Sequence, residues 1–152
     1  MNMMDEKFMI EAITLAKKAK SKDEVPVGAV IVKDGKIIAK AFNKREHSKD
    51  ATAHAEILAI KKACKKMKDF RLIGCDIYVT LEPCMMCLGA ILNARIDNLF
   101  FGAYNNKPEV IDSNKLAAHA GLNHNLTIVG GVLENECSNI VSSYFKDKRN
   151  KL

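Results

Sequence analysis

No stretch of this 152-residue sequence approaches the roughly 18 consecutive apolar residues of a membrane-crossing helix, so no membrane partner is expected. The start does not read as a secretory signal either: Met1 to Lys7 carry both charge signs, and no apolar core follows them directly. Internal repeats, low-complexity tracts and long linkers are absent, and the length predicts one domain over residues 1–152. A domain of this size hides roughly two-thirds of its unfolded surface, enough for a sizeable core. Cysteine is scarce and odd in number, at five; without a secretory signal this fits a reducing cytoplasm.

What is present is the balance of an ordinary globular protein, 48% hydrophobic and 28% charged. The net charge of +6 favours an anionic partner such as nucleic acid or an anionic membrane surface, although a lysine-rich solvated surface is the simpler explanation of charge alone. Along the chain, helical and strand patterns alternate. Phe8, Ala12, Leu15, Ala16 and Ala19 recur at helical spacing. Val27 to Val32 is β-branched and apolar on both faces, as in a strand covered on both sides. Asp34-Gly35 is a hairpin turn signal, and Lys36 to Phe42 returns as a second strand. A helix is predicted over Ala53 to Met67, with Ile57, Ile60, Cys64 and Met67 on its inner face. Asp76 to Leu81 reads as a strand, Pro83 suits the first turn of a third helix, and Asn98 to Phe101 is another strand. Asn105 to Asn125 reads as a loop with one short helix, and Leu126 to Val129 as the last strand. A final helix carries Cys137, Ile140, Val141 and Tyr144 on one stripe. The expectation is an α/β domain of about five strands with helices on both faces of the sheet.

Two segments carry chemistry: His54-Ala55-Glu56 and Pro83-Cys84-Met85-Met86-Cys87. Two cysteines three apart at a helix start point to the same side, and the helix N-terminus favours the thiolates that zinc requires. Alone, the pair reads equally as a redox dithiol or as two buried cysteines. His54 adds a neutral imidazole, and three ligands leave a tetrahedral position open, whereas a structural zinc is normally closed by a fourth. Cys64, Cys75 and Cys137 could supply one, but Cys64 and Cys137 lie on apolar helix stripes where packing is the simpler explanation. In mid-helix, residues two apart face nearly opposite ways. His54 and Glu56 can therefore serve one pocket only from a first turn whose N-terminus points at it. Glu56 is then the general acid and base beside the metal water, rather than a surface glutamate placed for the helix dipole. His-x-Glu followed by Pro-Cys-x-x-Cys is the known signature of zinc nucleobase deaminases.

The neighbouring segments extend the likeness. Val25-Pro26-Val27-Gly28-Ala29-Val30, Thr52-Ala53-His54-Ala55-Glu56-Ile57 and Thr80-Leu81-Glu82-Pro83-Cys84-Met85-Met86-Cys87 resemble the bacterial tRNA-specific adenosine deaminases. So do Gly89-Ala90-Ile91, Arg95-Ile96 and Phe101-Gly102-Ala103, and the likeness runs from the first helix to Tyr144-Phe145 and the basic tail. The resemblance implies a cytidine-deaminase-like three-layer α/β/α sandwich with a central five-stranded mixed sheet. It implies one zinc per subunit on His54, Cys84 and Cys87, a homodimer, and conversion of adenosine to inosine at the wobble position in the tRNA anticodon arm. It also implies substrate contacts at Asn43, which matches an asparagine that hydrogen-bonds the flipped base, at Ala55 and at Asn105. Phe145, beside Lys146, Lys148 and Arg149, suits stacking of an unpaired base, while Tyr144 fits the apolar stripe better. Outside the motifs, His47, His119 and His124 read as surface or loop residues.

One departure stands out. Where the family usually has an aspartate and then a glycine-containing stretch, this chain has Tyr104-Asn105-Asn106-Lys107-Pro108-Glu109-Val110. A carboxylate only accepts hydrogen bonds from a 2′-hydroxyl and repels phosphate, while an amide can also donate. Weaker discrimination between RNA and DNA is therefore expected. Two other functions share parts of the pattern. A salvage deaminase of a free base or nucleoside (guanine, cytosine or cytidine) needs the metal site but no basic tail. A non-catalytic zinc module binding nucleic acid needs a closed metal shell and no Glu56.

Overall fold

The computed structural model describes residues 4–105 and 124–151. In chain order these form α1 (Glu6–Ser21), β1 (Gly28–Lys33), β2 (Lys36–Phe42), α2 (Arg45–Ser48), α3 (Ala55–Met67), β3 (Cys75–Leu81), α4 (Met85–Asn93), β4 (Asn98–Ala103), β5 (Thr127–Val129) and α5 (Glu134–Asn150). The strands make one 5-stranded sheet in the order β2-β1-β3-β4-β5. β1 is antiparallel to both β2 and β3, while β3, β4 and β5 run parallel. The mixed sheet and the layered α/β/α arrangement expected from the sequence are both found.

The doubly apolar run of β1 has a direct cause. Ala29 and Ile31 face the core shared with α3 and α4, and Val30 and Val32 face Phe8, Met9 and Ala12 of α1 and Cys137 of α5. Each fully buried side chain such as Ile31 or Ile77 contributes about 1.5–3 kcal/mol relative to exposure. The β1–β2 turn places Asp34 at φ 51° and Gly35 at φ 74°, the paired left-handed residues of a two-residue hairpin. Gly28 has a different task. A Cβ there would run into the Ala12 carbonyl and the Ala16 amide, so only glycine lets β1 pass this close to α1.

Three points refine the expectations. Ala55, Ala59 and Ala63 of α3 are fully buried, while Ile60, Cys64 and Met67 of the expected face pack half-buried against the same core and Ile57 is half-buried. Methyl side chains let the helix axis come close to the sheet, which larger ones would hold away. The third helix begins at Met85 with Cys84 as its N-cap, so Pro83 lies just outside the first turn. The short helix α2 gave no periodic signal, having four residues and none of them buried. No helix among the described residues is long and apolar enough to cross a membrane.

Candidate active site

A cavity of about 460 Å³ opens at the carboxyl ends of β3 and β4. Open α/β sheets commonly bind ligands at this edge. Its floor comes from the first residues of α3 and from Cys84 at the start of α4. His54 is the N-cap of α3 and Cys84 the N-cap of α4; both have extended backbone, and neither side chain caps its own helix. Both are therefore free to converge in front of the helix ends. His54 Nδ1 lies 3.7 Å from Cys84 Sγ and 3.5 Å from Cys87 Sγ. A tetrahedral zinc with Zn–N near 2.0 Å and Zn–S near 2.3 Å spaces such donors about 3.6 Å apart, so this donor set fits the ion. These three are the group of potential metal ligands among the described residues, and all their ligand atoms lie within 4.8 Å of one another. Three protein donors beside a cavity form an open set, not a closed structural one.

The three donor groups shift one another's titration. The Cys87 thiol donates towards Cys84, and that bond, helped by His54, overcomes burial and holds the Cys84 thiol down at about 4. Cys87 is shifted the other way, by giving its hydrogen to Cys84 and by burial. His54 is raised by its bond to Cys84. Glu56, the second residue of α3, is only 4% exposed yet lines the cavity. Burial pushes its carboxyl up to about 7, against the pull of its own backbone N–H and of His54.

Asn43 follows β2 directly and is buried at the cavity wall. Its Oδ1 accepts the Ala55 N–H at 3.1 Å, which satisfies a free amide at the start of α3. The oxygen thus sets the angle of the helix that carries Glu56, and the amide nitrogen is the group left for a ligand.

The sequence profile of the MafB19-like deaminases matches residues 3–149. The tRNA-specific adenosine deaminase of Bacillus subtilis (strain 168) is 46% identical over 148 residues, which are 97% of this chain and 92% of that protein. The chain belongs to the tRNA-specific adenosine deaminase family. A solved structure from studies of A-to-I editing by tRNA:A34 deaminases superposes with a TM-score of 0.84 at 40% identity, covering 90% of this chain and 99% of that one. The structure of a guanine deaminase from Bacillus subtilis is more distant in shape, with a TM-score of 0.64 at 44% identity over 79% of this chain and 71% of that one.

The fold of this deaminase brings His54, Glu56, Cys84, Asn43, Asn105 and Phe145 to one cavity, with Cys87 buried behind it. Ala55 is not brought in. It is fully buried, does not line the cavity, and its N–H is used by Asn43. Asn105 is held by its backbone: its N–H donates to the buried Glu82 carboxylate at 3.1 Å. Phe145 is 38% exposed and stands edge-on to Tyr144, which is buried as its helix stripe implied. His47 has an exposed ring, but Nδ1 lies 2.7 Å from the buried Glu24. His124 Nε2 meets the Ile96 carbonyl at 2.7 Å. His119, Asn123 and the loop positions 106–110 lie outside the described residues.

Sequence reasoning missed Arg45, Glu82, Tyr104, Ser138 and Ser142, all of which line the cavity of the deaminase. Glu82 had a visible signal, an acid directly before Pro83-Cys84. The serines and Arg45 had none, because only the packing of α5 and α2 around the sheet edge turns them inward.

Proposed function

We propose that this chain, as one deaminase domain over residues 1–152, hydrolyses adenosine to inosine and ammonia at the wobble position of a tRNA anticodon arm. The observation that carries the reading is the open His54-Cys84-Cys87 donor set beside a buried Glu56, in a chain of this family. His54, Cys84 and Cys87 would hold one zinc per subunit. When bound, zinc supplies Lewis acidity that brings the pKa of a water from near 16 towards about 7. Glu56 takes one proton from the attacking water and delivers it to the ring nitrogen, then takes the second from the newly added hydroxyl and delivers it to the departing amine. The proton count balances: water and adenosine go in, inosine and ammonia leave. The Asn43 amide nitrogen orients the base, and Phe145 stacks a neighbouring base at the mouth.

Lys146, Lys148 and Arg149 at the end of α5 supply cationic contacts for the RNA phosphates. A second copy of the chain suits the α3–α4 layer, where Met85 is 69% and Met86 38% exposed beside the donor set. The absence of any membrane-length helix among the described residues and the free cysteines are compatible with a cytoplasmic enzyme. Zinc content and turnover of Glu56→Gln test the chemistry. The variant is expected to keep one zinc per chain and the wild-type fold while losing at least about a hundred-fold in kcat. Normal turnover in that variant overturns the mechanism.

A further inference from the structure

Arg45 is the one lysine or arginine among the described residues that line the cavity, whose other ionisable groups include Glu56 and Glu82. Its side chain is exposed and makes no ion pair among the described residues. It stands at the first position of α2, a four-residue helix that buries none of its residues, so apolar packing does not hold it. A buried carboxylate from elsewhere in the chain does. Glu24, only 1% exposed, accepts the N–H groups of Glu46 at 3.0 Å and His47 at 2.9 Å, and its Oε2 meets His47 Nδ1 at 2.7 Å. Burial opposes the charge on Glu24, but the two amides and the imidazole keep its carboxyl below the usual range. The same corner steadies the opposite wall of the cavity. Asp23 pairs with Lys148 at 2.8 Å, and its carbonyl accepts the Tyr144 hydroxyl at 3.5 Å, both from α5.

Taking the substrate to be a polynucleotide, as proposed above, we propose that Arg45 grips a backbone phosphate next to the flipped adenosine, and that Glu24 is the positioning residue that sets it there. A guanidinium fork suits a phosphate, and an exposed one at a cavity mouth loses little hydration before it binds. Free adenosine lacks that phosphate, so the pair favours a base within a chain. The two amides that Glu24 holds, those of Glu46 and His47, directly follow Arg45 in α2.

The test is binding of a stem-loop that already carries inosine, which is not turned over, measured by fluorescence anisotropy from about 50 to 200 mM salt. Arg45→Ala is expected to weaken binding about ten-fold. It should also flatten the slope of log affinity against log salt by about 0.7, the share of one single-strand phosphate contact. Arg45→Lys should keep most of the slope. Glu24→Gln should lose a similar share while keeping its zinc, and should add little in the Arg45→Ala background. If Glu24→Gln does not fold, His47→Ala removes the imidazole contact from an exposed position and should shift the slope the same way. A wild-type slope in Arg45→Ala, or additive effects of Glu24→Gln and Arg45→Ala, overturns the proposal and leaves the tRNA reading intact. A wild-type protein that binds no stem-loop overturns both.

Discussion

Glu24 and Glu56 are both buried acids, but their surroundings give them opposite tendencies. Glu24 has amide and imidazole donors around it and keeps its charge; Glu56 is buried beside His54 and the two cysteines, and burial pushes its carboxyl up to about 7. The folded-state pKa of Glu24 lies below its ordinary value of 4.5, so its contribution is fully present above that value and is lost as pH falls through the folded pKa. The stability gap between wild type and Glu24→Gln is therefore expected to stay constant from pH 7 to about 5 and to narrow below about 4. Urea melts at several pH values measure it, and a gap that widens in acid contradicts the assignment. Asn105 makes a second prediction possible. Its backbone is fixed by Glu82, so Asn105→Asp should change the chemistry of the side chain with little movement of the loop. The aspartate variant is expected to raise the ratio of RNA to DNA hairpin deamination, and an unchanged ratio counts against a role for this position. At this scale the sequence was readable where chemistry fixes spacing: His54, Cys84 and Cys87 come together as one donor set, with Glu56 at the same cavity. Arg45 and Glu24 were not readable, because Glu24 lies 22 and 23 positions from the Glu46 and His47 groups through which it fixes α2.

Helix ends do most of the work at the level of elements. The N-termini of α3 and α4 converge on the donor set, with His54 before one and Cys84 before the other. Chelating the proposed zinc is expected to loosen both first turns. At a hundred-fold excess of free zinc over its Kd the ion adds about 2.7 kcal/mol, and its removal should lower Tm by several degrees. Thermal melts with and without chelator check this, and identical curves contradict a metal that ties the two helices. The sheet layer makes a separate prediction. Gly28→Ala pushes a methyl group into the α1 backbone, so a loss of about 1–3 kcal/mol is expected by overpacking, and an unchanged Tm contradicts the close approach. The hairpin was legible because Asp34-Gly35 can adopt the left-handed pair that the turn demands. The inner face of α3 was read in part: Ile60, Cys64 and Met67 do pack against the core, but the residues nearest the sheet are Ala55, Ala59 and Ala63, which hydrophobicity alone does not rank first.

The whole molecule carries a net charge of +6, and the basic end of α5 lies on the same helix as Phe145 and Ser142 of the cavity wall. Under the proposed function that arrangement separates recognition from reaction, the cations holding the chain of the substrate and the small cavity one base. Activity on a stem-loop is therefore expected to fall steeply with salt through KM, with kcat little changed. A salt-independent KM contradicts a polynucleotide substrate. The most direct test of the central claim is deamination of a synthetic tRNA anticodon stem-loop with adenosine at the wobble position, run alongside free adenosine, cytidine and guanine. Inosine in the stem-loop with the free compounds unreacted is the expected result. An unreacted stem-loop beside converted guanine or cytidine would keep Glu56 and its metal site but contradict tRNA as the substrate.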